Sequence, residues 1–197
     1  IAEIDRQRGA LAKHLVETHY TVFGTLKFTN GFNMTEARGG KIVRLFFNML
    51  DRVLFGQSAV AAGHRVERTV FKHLGASGQN LHFHFLARPE SDPVRFCETA
   101  KCLWNEASTF NSGYENTRIE VVRSPMKTAH YCLHEYRTLG ADTLFLEATH
   151  SEKLAPPYKP MCTLRRHLKR QTLNEKTKEA AFRRCANAAH IRPPAIL

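Results

Sequence analysis

The chain reads as a mixed α and β fold, and three observations predict it. Residues 20–29, 65–73 and 81–87 alternate in the two-residue period of extended strands. Apolar residues Ile42, Leu45, Phe46, Met49, Leu50, Val53 and Leu54 recur three and four apart, the period of an amphipathic helix. Asp92-Pro93 and Ser124-Pro125 each place a capping side chain before a proline suited to the first helical position.

Residues 2–18 read as a short first helix. Residues 20–29 form the first strand, which Asn30-Gly31 ends. Gly39-Gly40 precede the helix carrying Ile42 to Leu54, which should cover one sheet face. Residues 65–73 and 81–87 make a hairpin across the turn-rich residues 75–80. A helix then opens at Asp92-Pro93 and turns Val94, Cys97, Leu103 and Trp104 inward, residues 118–122 form a short strand, and Ser124-Pro125 starts a helix running to Leu139 before Gly140. Pro156, Pro157 and Pro160 mark a boundary, dividing residues 1–158 from a basic helical extension at 159–197.

Composition narrows the classes of function. At 197 residues and 43% hydrophobic content, one sizeable core can form without disulfide staples. The five cysteines are odd in number and make no C-x-x-C pair, so they are expected to be reduced thiols in a cytosol-like compartment. No apolar stretch is long enough for a membrane span, no secretory signal is visible, and Ile1 suggests a chain trimmed from a longer protein. The net charge is +11, and ten Lys/Arg against two acids from Lys159 onward put +8 of it in the extension. Such a surface suits a polyanion, and makes the extension either a nucleic-acid arm or a helix with a solvated charged face.

His82-Phe83-His84 puts two imidazoles on one strand face, with Leu81, Phe83 and Phe85 on the other. Imidazoles so placed are common ligands of divalent metals, although a lone His-x-His also occurs as a satisfied or solvent-facing pair. His73, nine residues before His82 on the preceding strand, can fold back to make a third ligand. Glu67 shares its strand parity but lies farther along, as a reserve ligand or salt-bridge partner.

The helix after Ser124 offers a nucleophile. Lys127, Tyr131 and His134 are four and three apart and share one helical face. A phenol with a pKa of about 10 attacks poorly at neutral pH unless positive charge stabilises the phenolate or a base takes its proton. Lys127, His134 and a nearby ion are the groups able to do so, while Tyr136 sits about 140° around the helix.

In chain order, Phe23-Gly24-Thr25-Leu26-Lys27-Phe28, the His-Phe-His of residues 82–84 and Tyr131-Cys132-Leu133-His134-Glu135 resemble the three motifs of the HUH endonucleases of the rolling-circle replication initiator (Rep) class, with a single catalytic tyrosine. The last is similar to the Tyr-Cys-x-Lys-Glu form and selects Tyr131 over Tyr136. Two departures stand out: His134 replaces the family's Lys, and His73 stands where the third metal ligand is commonly Glu. The resemblance spans roughly residues 20–140.

It implies an α+β fold, a central antiparallel sheet of about five strands with helices packed on it. It also implies a concrete reaction: with Mn²⁺ or Mg²⁺ bound by His73, His82 and His84, Tyr131 cleaves single-stranded DNA or a hairpin at an origin or element end, leaving a 5′-phosphotyrosine and a free 3′-OH. Three imidazoles favour Mn²⁺ over Mg²⁺. DNA would lie along the sheet against Arg65, Arg68, Lys72 and Arg88, with Arg165, Arg166, Lys169 and Arg170 available in the extension. The setting would be the cytoplasm of a prokaryotic host, or the nucleus for a eukaryotic element. A single-tyrosine transposase shares the motif order, whereas a relaxase would carry its tyrosine ahead of the histidines. With no phosphate-binding Gly-x-x-x-x-Gly-Lys loop, unwinding falls to a separate helicase or a missing domain. Two readings of other classes are a non-catalytic RNA-recognition-like module that stacks bases on Phe83, Phe85 or Tyr20, and a zinc hydrolase needing a nearby Glu base.

Overall fold

A computed structural model of the protein describes residues 2–29, 31–108 and 117–151. The chain runs α1 (Ala2–Glu17), β1 (Val22–Lys27), α2 (Glu36–Phe55), α3 (Gln57–Ala61), β2 (Glu67–His73), β3 (His82–Arg88), α4 (Pro93–Ala107), β4 (Arg118–Val121), α5 (Pro125–Cys132) and α6 (Tyr136–Leu139). The fold is α+β: one antiparallel sheet in the order β2-β3-β1-β4, with helices packed on it. The segment from β1 to β4 is a β-α-β-β-α-β arrangement, two interleaved β-α-β units that leave β1 and β3 in the interior of the sheet.

Among the described residues the sheet has four strands, not about five. The segment after α6 runs beside the β2 edge without becoming a regular strand. Arg68 and His150 exchange backbone hydrogen bonds of 2.8 and 2.9 Å, and Phe145 N–H donates to Val70 C=O at 2.8 Å. An edge so occupied cannot recruit another chain as easily as a bare one. The extension at 159–197 and the boundary at 158 lie outside the described residues.

Sequence accounts for most element ends. Thr35 Oγ1 accepts from Arg38 N–H to cap α2, and Asp92 Oδ2 accepts from Arg95 N–H to cap α4, with Pro93 at its first position. The Thr35 cap starts α2 before Gly39 and Gly40, so this pair lies inside the helix instead of preceding it. A Cβ at Gly39 would stand 2.7 Å from a Leu81 methyl, and one at Gly40 2.9 Å from Phe145. The glycines therefore let α2 approach its neighbours closely.

Both faces of the sheet are covered. On one, Val22, Leu26, Val70, Phe83 and Phe85 pack against Phe46, Phe47 and Leu50 of α2 and Phe96 and Trp104 of α4. On the other, Phe23, Phe71 and Leu86 pack against Ala12 and Leu15 of α1, Ala129 and Cys132 of α5, and Tyr136. The face carrying His82 and His84 is thus partly roofed rather than open. No helix among the described residues is long and apolar enough to cross a membrane. Cys97 and Cys132 are free, whereas Cys102 is disulfide-bonded, a departure from the expectation of five reduced thiols.

The predicted helix from Ser124 to Leu139 is two helices joined by a turn at Leu133–Glu135. His134 N–H turns back three residues to Tyr131 C=O, and the His134 ring bonds that same carbonyl through Nδ1 at 2.7 Å. Glu135 is drawn away to the β2–β3 hairpin, where its carboxylate accepts from Leu74 and Gly75 N–H at 2.8 and 2.9 Å. Those side-chain bonds interrupt the helix just after Tyr131.

Candidate metal centre and tyrosine

Register brings the three histidines together. His73 on β2 is the cross-strand partner of His82 on β3, and His84 stands two residues along β3, between Phe71 of β2 and Thr25 of β1. All point to the same sheet face, since residues two apart share a face and cross-strand partners do too. Their ring centroids lie 4.5 to 5.5 Å apart, and one nitrogen from each falls within 4.8 Å of the others.

Each imidazole is anchored through its other nitrogen. His73 Nε2–H donates to Cys132 C=O at 2.8 Å, and His82 Nδ1–H donates to Asn80 C=O at 2.8 Å. His84 Nδ1 lies 3.0 Å from Thr25 Oγ1. A carbonyl only accepts, so His73 and His82 keep their lone pairs on Nδ1 and Nε2 respectively. This is how metal-binding histidines are held, with an outer partner fixing tautomer and ring orientation. His73 Nδ1 and His84 Nε2 are buried with no hydrogen-bond partner among the described residues, and such orphaned atoms call for an explanation. A shared divalent cation supplies one, so the residues fit the metal the sequence suggests.

Electrostatics agree with that fit. Burial, which removes water from the charged imidazolium, lowers the pKa of His73 to about 4. It likewise lowers His82, and it takes His84 well below its ordinary value with the neighbouring imidazoles adding to the effect. All three rings are then neutral at pH 7, the form that ligates.

Tyr131 stands at the mouth of this cluster. Its side chain is half exposed, its ring centroid lies 5.0 Å from that of His84, and Phe23 meets it edge-on at 5.8 Å. The placement follows from how α5 ends. Helix C-termini leave carbonyls without intrahelical partners, and here Cys132 C=O accepts from His73 while Leu133 C=O accepts from Arg8 Nε–H at 3.0 Å. One candidate ligand, His73, is thus bonded to the residue after Tyr131. Tyr136 is 7% exposed and packs in the core beneath α1. His134 is exposed, with its ring 5.4 Å from that of Tyr131, and Lys127 is exposed one helical turn earlier. No protein-family model matches the chain, and no curated protein or solved structure matches it either.

The basic residues expected along the DNA path are placed differently. Arg68 is 4% exposed and points to the α2 face, where its guanidinium binds Asp51 at 2.8 Å and Ala148 C=O at 2.8 Å and lies over Phe47. Arg65 pairs with the same Asp51, and Lys72 pairs with Glu36 of α2. None of the three serves the histidine face; a strand that alternates sides sends Arg68 and Lys72 opposite to His73. Arg88 shares the histidine side but is bonded to Glu67, and their pair lies four register positions from that of Phe71 and His84, so Glu67 is its salt-bridge partner and no reserve ligand. Arg165, Arg166, Lys169 and Arg170 lie outside the described residues.

Other residues flank the centre. Lys27 continues the row His73-His82 across β1, and Arg118 continues the row His84-Thr25 onto β4, where its side chain is 71% exposed beside Glu120. Thr25 anchors His84. Strand parity within residues 23–28 was the signal for Lys27 and Thr25, but only pairing with β3 identifies their neighbours. Phe83 and Phe85 are 1% and 0% exposed, and Tyr20 is buried with its hydroxyl on Thr69, so none offers a stacking platform.

Proposed function

We propose that the protein nicks and rejoins single-stranded DNA through a covalent phosphotyrosine on Tyr131, as the HUH resemblance implies. The observation that carries this reading is the half-exposed Tyr131 phenol over His84, the ring with an orphaned buried nitrogen. Nucleophile and ligand cluster thereby lie side by side. A base-stacking module finds its three aromatic candidates in the core instead, and the Glu nearest the cluster, Glu135, is held by two backbone N–H groups, which disfavours it as a hydrolytic base.

His73, His82 and His84 would hold the cation. Mn²⁺ or another borderline ion suits three nitrogens better than Mg²⁺, and when bound it acts as a Lewis acid toward a non-bridging phosphate oxygen. Tyr131 Oη attacks phosphorus in line with the departing 3′ oxygen. The new O–P bond joins the 5′ phosphate to the tyrosine, the phenolic proton is lost, and the 3′ oxygen gains a proton as it leaves. Lys127, one turn before Tyr131, and His134, just after it, favour the phenolate by positive charge or proton acceptance. Lys27 and Arg118 would draw the DNA backbone across the histidine side of the sheet. No water is consumed, so the free 3′-OH can reverse the reaction. Replication initiators and single-tyrosine transposases share this chemistry, and unwinding would fall to a separate helicase or a missing helicase domain.

The test is incubation with labelled single-stranded oligonucleotides and Mn²⁺, followed by a denaturing gel. A covalent adduct is expected from the wild type and from Tyr136→Phe, and none from Tyr131→Phe. His84→Ala should lose the adduct while keeping most DNA affinity. An adduct that survives Tyr131→Phe, or that forms undiminished in chelator, overturns the proposal.

A further inference from the structure

We propose that His134 is a cation ligand in a second berth, formed with Glu135 and sharing His73 with the three-histidine centre. One nitrogen each from His73 and His134 and one carboxylate oxygen of Glu135 lie within 4.8 Å of one another. Glu135 Oε1 is 3.5 Å from His134 Nε2 and 3.8 Å from His73 Nδ1. These separations are too long for hydrogen bonds. They approach the roughly 3.4 Å expected between two ligands each about 2.1 Å from one tetrahedral ion.

Each member keeps a lone pair for the purpose. His134 Nδ1–H donates to Tyr131 C=O, leaving Nε2 as its acceptor. Glu135 Oε1 accepts from Gly75 N–H and Oε2 from Leu74 N–H, and each carboxylate oxygen has a further lone pair. His73 Nδ1 is the independent observation, a buried nitrogen without a hydrogen-bond partner among the described residues. Because His73 Nε2 is committed to Cys132, only Nδ1 can ligate, and the two berths hold one ion between them at any time. The set of two nitrogens and one oxygen is harder than three nitrogens, so the second berth favours Mn²⁺ over Zn²⁺ more than the first does. Its meaning for Tyr131 rests on the nicking reading: His134 is covalently close to that tyrosine and its ring lies 5.4 Å from the phenol ring, so a cation here adds positive charge beside the nucleophile.

Co²⁺ binding to the full chain without DNA tests the berth, read by calorimetry and by the visible absorption of the bound ion. One Co²⁺ per chain is expected in the wild type. His82→Ala/His84→Ala should still bind one, more weakly, and adding His134→Lys should remove it. His82→Asn/His84→Gln, which keeps polar side chains in place, serves if circular dichroism shows the alanine variant unfolded. A folded double variant that binds no Co²⁺, or one whose binding is indifferent to His134→Lys, overturns the second berth. Failure of the three-histidine centre looks different: His134→Lys alone then loses all Co²⁺. Since no DNA is present, a failure of nicking leaves this result readable.

Discussion

His73 ties together a strand, the end of the tyrosine helix through Cys132 C=O, and both candidate ligand sets through one orphaned nitrogen. Its burial has a measurable consequence. With a pKa of about 4 in the folded chain against an ordinary 6.5, His73 binds fewer protons folded than unfolded between those values. Stability of the metal-free protein therefore rises with pH across that window: it is lost as pH falls from about 6.5 to 4 and levels off outside it. His82 and His84 shift in the same direction and reinforce the slope. The contribution of His73 alone is about 3 kcal/mol at 1.36 kcal/mol per unit. Urea unfolding in chelator at pH 4.5 and 7 should show the loss, and His73→Gln should flatten it; a pH-independent midpoint contradicts a buried neutral ring.

At the scale of elements, β1 connects the centre to the core. Its Thr25 anchors His84, while Gly24, one residue earlier, faces the opposite side across from Phe85. A Cβ at Gly24 would lie 2.0 Å from the Phe85 ring, and Phe85 is fully buried between Phe46 and Phe47. The ring has nowhere to swing. Gly24→Ala is expected to cost at least about 1–3 kcal/mol, as overpacking does. A lower urea midpoint with an unchanged m-value checks this. The other face has its own anchor, the fully buried Asp51, which pairs with Arg68 and accepts from Val66 N–H. Removing one partner of such a pair leaves a buried charge, so Asp51→Ala should lose about 3–5 kcal/mol of stability by thermal or urea unfolding without altering the residues around Tyr131.

For the whole molecule, ligand sets drawn from β2, β3 and the α5–α6 turn mean that an ion bound to the folded chain stabilises all of these elements together. Mn²⁺ at 100 times its dissociation constant should add about 2.7 kcal/mol to unfolding free energy, seen as a raised melting temperature. The rise should vanish in chelator and shrink in His84→Ala. Charge acts at the same scale: if the extension, with +8 concentrated from Lys159 onward, is a nucleic-acid arm, it adds sequence-independent DNA contacts to the proposed nicking. Replacing Arg165, Arg166, Lys169 and Arg170 with Ala should flatten the log–log salt dependence of single-strand affinity by up to about 3, at about 0.7 per phosphate contact. An unchanged slope removes the extension from the binding surface.

The local pattern alone placed most helices and strands, because two- and three-to-four-residue periods are written in adjacent positions. It also brought His73, His82 and His84 into one candidate set, since a short hairpin limits which residues can meet. Contacts across the chain were not legible in this way. The sequence offered Arg68 to DNA, but Asp51, seventeen residues earlier, takes it into the core. It ran one helix through Tyr131 and Glu135, but a hairpin sixty residues away takes Glu135 and breaks it. Local periodicity determined the elements and the candidate ligands; long-range pairing decided which polar groups are spent in the core, which stay free to bind a cation, and which tyrosine faces them. The physical reason is that a hydrogen bond or ion pair depends on separation in space, and spacing along the chain fixes that only over a turn or a hairpin.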